Sequence, residues 1–207
     1  MDFRLTEEQK ALKESIRHFA EKEIRPLIKE ADEKGEWPAS LTRKLGEMGL
    51  LGIIIPPEYD GAGYSNVDYV LILEEISRVD PSVGLVVAAH NSLCCNHINL
   101  FGNETQKKRY LPRLVSGETL GAWALTEAGA GSDAAAIKTR AVRKGDCWVL
   151  NGSKMFITNG SLAQIAVVMA VTDPEKGRQG ISAFILEKGM KGFKVGKKEN
   201  KLGIRAA

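Results

Sequence analysis

A chain of 207 residues that is 43% hydrophobic carries enough apolar mass to bury a core, as one large domain or two modest ones, and is neither fibrous nor disordered. Its 29 basic residues stand against 26 acidic ones, and Lys and Arg are scattered rather than striped, so nucleic acid is not an expected partner. No window reaches the roughly 18 apolar residues of a membrane span, Met1-Asp2-Phe3-Arg4 carry no apolar signal core, and three cysteines without a CxxC pair fit a reducing compartment. A membrane is therefore not an expected partner, and cytoplasm is the expected location.

The first 117 residues read as helical. Thr6-Glu7-Glu8-Gln9 forms a capping box, and Leu12, Ile16, Phe19, Ile24 and Leu27 follow at helical spacing, predicting a helix to about Asp32. Pro38, the face Leu41, Leu45 and Met48, and Gly49 bracket a second helix. An apolar run then leads into a proline pair and the glycine-rich turn 58–64. Ser65 and Asp68 cap a third helix through Val70, Leu71 and Ile76. Asp80-Pro81 opens a fourth, apolar all round over 83–89 and so central to the bundle. A fifth is expected from Glu104 to about Val115.

After Gly117 the period shortens. Segments 120–125, 138–143, 148–158, 165–171 and 181–187 alternate or run apolar at strand length, with turns between them. Helices followed by strands make an α+β chain, with the boundary at Val115-Ser116-Gly117: an N-terminal helical bundle over 1–117 and an antiparallel β domain over 118–207.

Two segments carry the chemistry. Trp123-Ala124-Leu125-Thr126-Glu127-Ala128-Gly129-Ala130-Gly131-Ser132-Asp133 ends a strand in a Thr-Glu pair and enters a glycine-rich turn. The Gly129-Ala130-Gly131 run lacks the third glycine and the βαβ setting of a dinucleotide fingerprint. Lys154-Met155-Phe156-Ile157-Thr158-Asn159-Gly160 reads as a second strand end, on which alternation sets Phe156 and Thr158 to one side. His90, Cys94 and His97 fall at i, i+4 and i+7 of a helix. They are ligand types that zinc prefers, but three ligands on one helix rarely close a tetrahedron, and core or pocket lining is the alternative.

At these residues the chain resembles the acyl-CoA dehydrogenase family. The L-T-E-x-x-x-G-S-D segment at 125–133 and F-I-T-N-G at 156–160 match in order and spacing, and Leu5-Thr6-Glu7-Glu8-Gln9, the run 57–63 and Lys201-Leu202-Gly203-Ile204-Arg205 are similar too. The resemblance implies an FAD-dependent oxidoreductase of fatty-acid β-oxidation that desaturates acyl-CoA thioesters to trans-2-enoyl-CoA. His90-Asn91-Ser92-Leu93 resembles the short-to-medium-chain branch. Electron-transferring flavoprotein is the implied acceptor, and a homo-oligomer, a tetramer in the family, the implied assembly.

Carried over residue by residue, Trp123 and Leu125 line the flavin and Thr126 bonds its pyrimidine side. Ser132 reaches the pyrophosphate and borders substrate, and Gly129 and Gly131 admit phosphates without a Cβ in the way. Phe156 stacks where many relatives carry Trp, and the Thr158 hydroxyl bonds the hydride-accepting N5, which stabilises the reduced flavin. Asp133 is read as ordering the turn.

The family's catalytic glutamate lies in a C-terminal helical domain without a counterpart here, so no residue of this chain is expected to be catalytic, Glu127 included. Three expectations follow: no turnover by the chain alone, weak flavin affinity, and an unpaired edge in an incomplete β domain. The competing reading is a truncated, non-catalytic homologue that binds flavin, acyl-CoA or a partner subunit.

Overall fold

The computed structural model describes residues 4–207. The expectation for Met1-Asp2-Phe3 lies outside them. Helix α1 (Glu7–Phe19) starts at the Thr6 capping box, in which the Thr6 hydroxyl accepts from the Gln9 amide and Gln9 returns the bond to the Thr6 amide. The helical run continues through a π turn (Ala20–Ile24) into α2 (Arg25–Lys34), ended by Gly35 at φ +65°. The apolar spacing explains the π turn. Ile24 follows Phe19 by five residues, which in a regular helix swings it about 140° off the face, and the wider turn returns it to the core, where both are buried.

Helix α3 (Ala39–Glu47) buries Leu41 and Leu45. Met48, expected on the same face, is exposed, because the chain turns at Gly49 (φ +71°) just beyond it. The second capping box opens α4 (Asn66–Val79) at Ser65 with Asp68, and Asp80 caps α5 (Pro81–Ala88). The fourth expected helix then widens into a π segment (Ala89–Cys95) before α6 (Asn96–Phe101), and α7 (Glu104–Val115) follows. Between α1 and α4 the buried carboxylate of Glu75 meets Arg17 at 2.8 Å, Arg78 at 3.3 Å and Lys13 at 3.5 Å. Burial raises a carboxyl, but the Arg17 guanidinium bonded to it weighs more and holds Glu75 near 2.

The α+β order holds, but the sheet is mixed rather than antiparallel. Strand β1 (Gly121–Ala124) runs parallel to β4 (Ile165–Val171), with Gly121 opposite Ile165 and Ala124 opposite Val168. β2 (Arg140–Lys144) also meets β4 in parallel, at Arg140 and Val171. β2 pairs antiparallel with β3 (Cys147–Asn151), and β4 with β5 (Ile181–Glu187). Among the described residues only β2 and β3 are joined by a two-residue turn, with Gly145 at φ +61°, whereas β1 leaves into a long loop and has no hairpin partner there. β4 is buried along nearly its whole length, as its unbroken apolar run requires of a strand covered on both faces. Among the described residues β5 has one strand neighbour, so its outer edge is open.

The third strand is shorter than the expected 148–158. Gly152 passes so close to β2 that an added Cβ would meet Thr139 Oγ1 at 2.3 Å, and there the chain leaves the sheet. Core residues Cys94, Cys95, Ile98, Leu111 and Leu114 of the helical part pack with Ile165 and Val167 of β4. Among the described residues, no helix is long and apolar enough to cross a membrane.

Candidate functional site

The two motif segments meet on one side of the sheet. The Met155 amide donates to the Thr126 carbonyl at 2.8 Å, and the Lys154 ammonium donates to the Leu125 carbonyl at 2.8 Å. Lys154 also pairs with Glu127 Oε1 at 2.7 Å. A cleft of about 300 Å³ opens between the segments, lined by Glu127, Ala128 and Gly129 from one and Ser153, Lys154 and Met155 from the other.

Glu127 is a structural ion. Besides Lys154, its carboxylate accepts from the amides of Lys138 (2.6 Å) and Thr139 (3.0 Å), pulling in the strand that follows the glycine turn. Burial pushes its carboxyl up, but the Lys154 ammonium and these amides outweigh that and hold it at about 2. A carboxylate held so far below neutrality is a poor base. Glu127 and Ala130 exchange backbone bonds at 3.0 and 3.1 Å, closing the turn, and Asp133 orders the next one by accepting from the Ala135 amide.

A Cβ on Gly129 or Gly131 would meet nothing within 4 Å, and neither has a positive φ. Neither packing nor backbone conformation asks for glycine there, so the open space lies on the outer side of the turn. Leu125 and Thr126 are half-buried, and Ser132 is exposed further along. Trp123 is half-buried in β1, its ring 6.3 Å from that of His97, and its indole N–H is buried without an acceptor among the described residues. An unpaired buried N–H costs about 1–3 kcal/mol until an acceptor is brought to it.

Phe156 and Thr158 do not lie on a strand, which corrects the alternation expected of them. Phe156 sits in a bend at φ +57°, 69% exposed, and Thr158 begins a turn that passes through Asn159 at φ +65°. A bulky residue with left-handed backbone and a solvent-facing ring is held by its surroundings against its own preference. Among the described residues Ser132 shares no hydrogen bond with Thr158, so the close grouping is of 125–129 with 153–155.

The trio His90, Cys94 and His97 is parted by the π segment, which puts Cys95 Sγ, not Cys94, 3.2 Å from His90 Nε2. His90 is fully buried, which lowers its pKa to about 4 and keeps it neutral. Its Nε2 donates to the Leu51 carbonyl (3.0 Å) and its Nδ1 accepts from the Gly121 amide (2.9 Å), so both ring nitrogens are engaged. His97 instead leans on Phe101, with centroids 4.9 Å apart.

Sequence reasoning passed over two residues of this region. Lys154 carried a signal as the one basic residue heading the second motif. Asn159 carried one as the first residue of an Asn-Gly pair, the commonest mark of a left-handed turn.

The family model described as acyl-CoA dehydrogenase, N-terminal domain, matches residues 6–118, and that described as acyl-CoA dehydrogenase, middle domain, matches 122–207. The chain is 49% identical over 207 residues to a short-chain specific acyl-CoA dehydrogenase of Clostridium acetobutylicum, covering 100% of this chain and 55% of that protein. It superposes with a TM-score of 0.95 and 48% identity on a chain from work on the electron transferring flavoprotein of Acidaminococcus fermentans, covering 100% of this chain and 54% of that one. A glutaryl-CoA dehydrogenase from Mycobacterium smegmatis in complex with FADH2 gives 0.92 at 35% identity, covering 98% and 51%. The chain spans about half the length of the curated relatives it matches. With both family models matched in order across residues 6–118 and 122–207, this chain belongs to the acyl-CoA dehydrogenase family.

Proposed function

We propose that this chain is the flavin-holding half of an FAD-dependent acyl-CoA dehydrogenase acting on short- or medium-chain acyl-CoA, divided at 117/118 into a helical and a β domain. The observation that carries the reading is the bond between the Met155 amide and the Thr126 carbonyl, which sets the two motif segments side by side around one cleft.

The residues present fit the group. An exposed ring at Phe156 offers a stacking face, the open outer side of Gly129 and Gly131 accepts a close anionic tail, and the buried Trp123 N–H lacks an acceptor among the described residues. In this reading Trp123, Leu125 and Thr126 line the ring, Ser132 serves the pyrophosphate and the substrate side, Phe156 stacks, and Thr158 offers its hydroxyl to the hydride-accepting edge. FAD, when bound, supplies the acceptor for a hydride from the acyl β carbon. The chain's own part is to bind, orient and exclude water, and it supplies no base. Electron-transferring flavoprotein is the proposed acceptor, in keeping with the Acidaminococcus structure, and a homo-oligomer the proposed assembly. Three free cysteines accord with a cytoplasmic setting.

Titrating the purified chain with FAD tests the reading. Quenched flavin fluorescence and a perturbed visible band are expected, together with no acyl-CoA-dependent dye reduction. Unaltered fluorescence at every protein concentration would overturn the flavin site, and dye reduction would overturn the absence of a base.

A further inference from the structure

Gly121, at the root of β1, has both backbone polar groups held by side chains. Its N–H donates to His90 Nδ1, and its carbonyl accepts from Asn159 Nδ2 at 3.1 Å. The same Asn159 amide reaches the Val86 carbonyl of α5 at 3.4 Å. Two carbonyls facing one end of the amide fix its orientation, because the flipped amide would set oxygen against oxygen. Asn159 is 3% exposed, its backbone is left-handed, and its own carbonyl accepts from the amides of Leu162 (2.9 Å) and Ala163 (2.8 Å). It stands one residue after Thr158 and three after Phe156.

We propose that Asn159 is a positioning residue for the flavin: its amide clamps the turn bearing Phe156 and Thr158 to the root of the strand whose far end bears Trp123, Leu125 and Thr126. Beside the Met155 and Lys154 bonds to the first segment, that amide is a second tie, bridging α5, β1 and the turn, and it sets the spacing at the Phe156 and Thr158 end of the site. The assignment rests on the flavin reading above. Left-handed backbone alone would be served by glycine, which adopts φ +65° freely. What glycine lacks is the bridge, and the buried side chain makes no other bond, since Oδ1 has no partner among the described residues.

The test compares the 207-residue chain with Asn159→Gly and Asn159→Asp, each shown to be folded by circular dichroism. FAD affinity is read by flavin fluorescence, and hydrogen exchange of residues 155–163 is followed without flavin. Asn159→Gly is expected to bind FAD about tenfold more weakly, the loss of roughly one net hydrogen bond, and to exchange faster over 155–163 while β4 stays protected. Asn159→Asp, which turns a carboxylate on two carbonyls, is expected to bind more weakly still. A folded Asn159→Gly chain with unchanged affinity and unchanged exchange overturns the clamp, because a residue that only supported the fold would leave the folded protein's affinity alone. Wild-type chain that binds no FAD overturns the flavin reading and this assignment with it. Should neither variant fold, the wild type decides: FAD must slow exchange over 155–163 and over 120–123 together, and protection of the first without the second overturns the proposal.

Discussion

Replacing Glu127 by Gln removes the charge that joins the two motif segments, and its cost follows from the carboxyl pKa. Glu127 titrates near 2 in the folded chain against an ordinary 4.5. Because its folded pKa is depressed, its contribution is full above the unfolded pKa and fades as pH falls through the folded one. That difference corresponds to about 3 kcal/mol at pH 7, and the same two pKa values leave about 1 kcal/mol at pH 3. The Glu127 side chain is only 10% exposed, so little of this is screened by solvent. Urea unfolding of wild type and Glu127→Gln at pH 7 and pH 3, followed by far-ultraviolet circular dichroism, measures the difference. The stability gap is expected to narrow by about 2 kcal/mol on acidification, since every other carboxylate is common to both chains and cancels. Parallel pH profiles would refute the argument that Glu127 is a buried ion held by Lys154 and two amides.

Phe156→Gly should weaken FAD binding at least tenfold, yet leave stability unchanged or raise it by up to ~1 kcal/mol by relieving the left-handed backbone; fluorescence titration and urea unfolding measure the two. His90→Ala should cost about 3 kcal/mol in the same unfolding assay, because it orphans the buried Gly121 amide and the Leu51 carbonyl and leaves a cavity; a loss below about 1 kcal/mol would refute the bridging role. In hydrogen exchange, the outward amides of β5 should exchange quickly and those facing β4 slowly, and uniform protection of β5 in a monomer would contradict an open edge.

The helical half was readable because its signals are local. The Thr6 and Ser65 boxes, the Asp80-Pro81 start and Gly49 past a helix end each act within a turn or two. What escaped depended on distant partners. The direction of β1 is set by pairing with residues 44 positions away, Gly121 with Ile165, and no periodicity in either strand states whether the pair is parallel. The end of β3 is set by Gly152 crossing Thr139, a contact between segments that carries no mark in the strand pattern. For the same reason Phe156 and Thr158 were recognisable as residue types but not in their setting, since an aromatic residue at positive φ runs against every propensity. The π segment had the same effect on His90 and Cys94, whose spacing in a regular helix places the wrong thiol beside the imidazole.

The parallel pairing of β1 with β4 bears on the order in which the polypeptide takes shape. The chain from 122 to 164 must be enclosed before Gly121 can meet Ile165, a large loop whose closure entropy is paid ahead of any reward from the sheet. During synthesis from the N-terminus, the helices have their neighbours at hand while β1 waits, apolar and unpartnered, until residue 168 has left the ribosome. Nascent chains arrested before that point should present a compact helical body trailing a sticky segment at 121–125, the form in which a chaperone would find this protein.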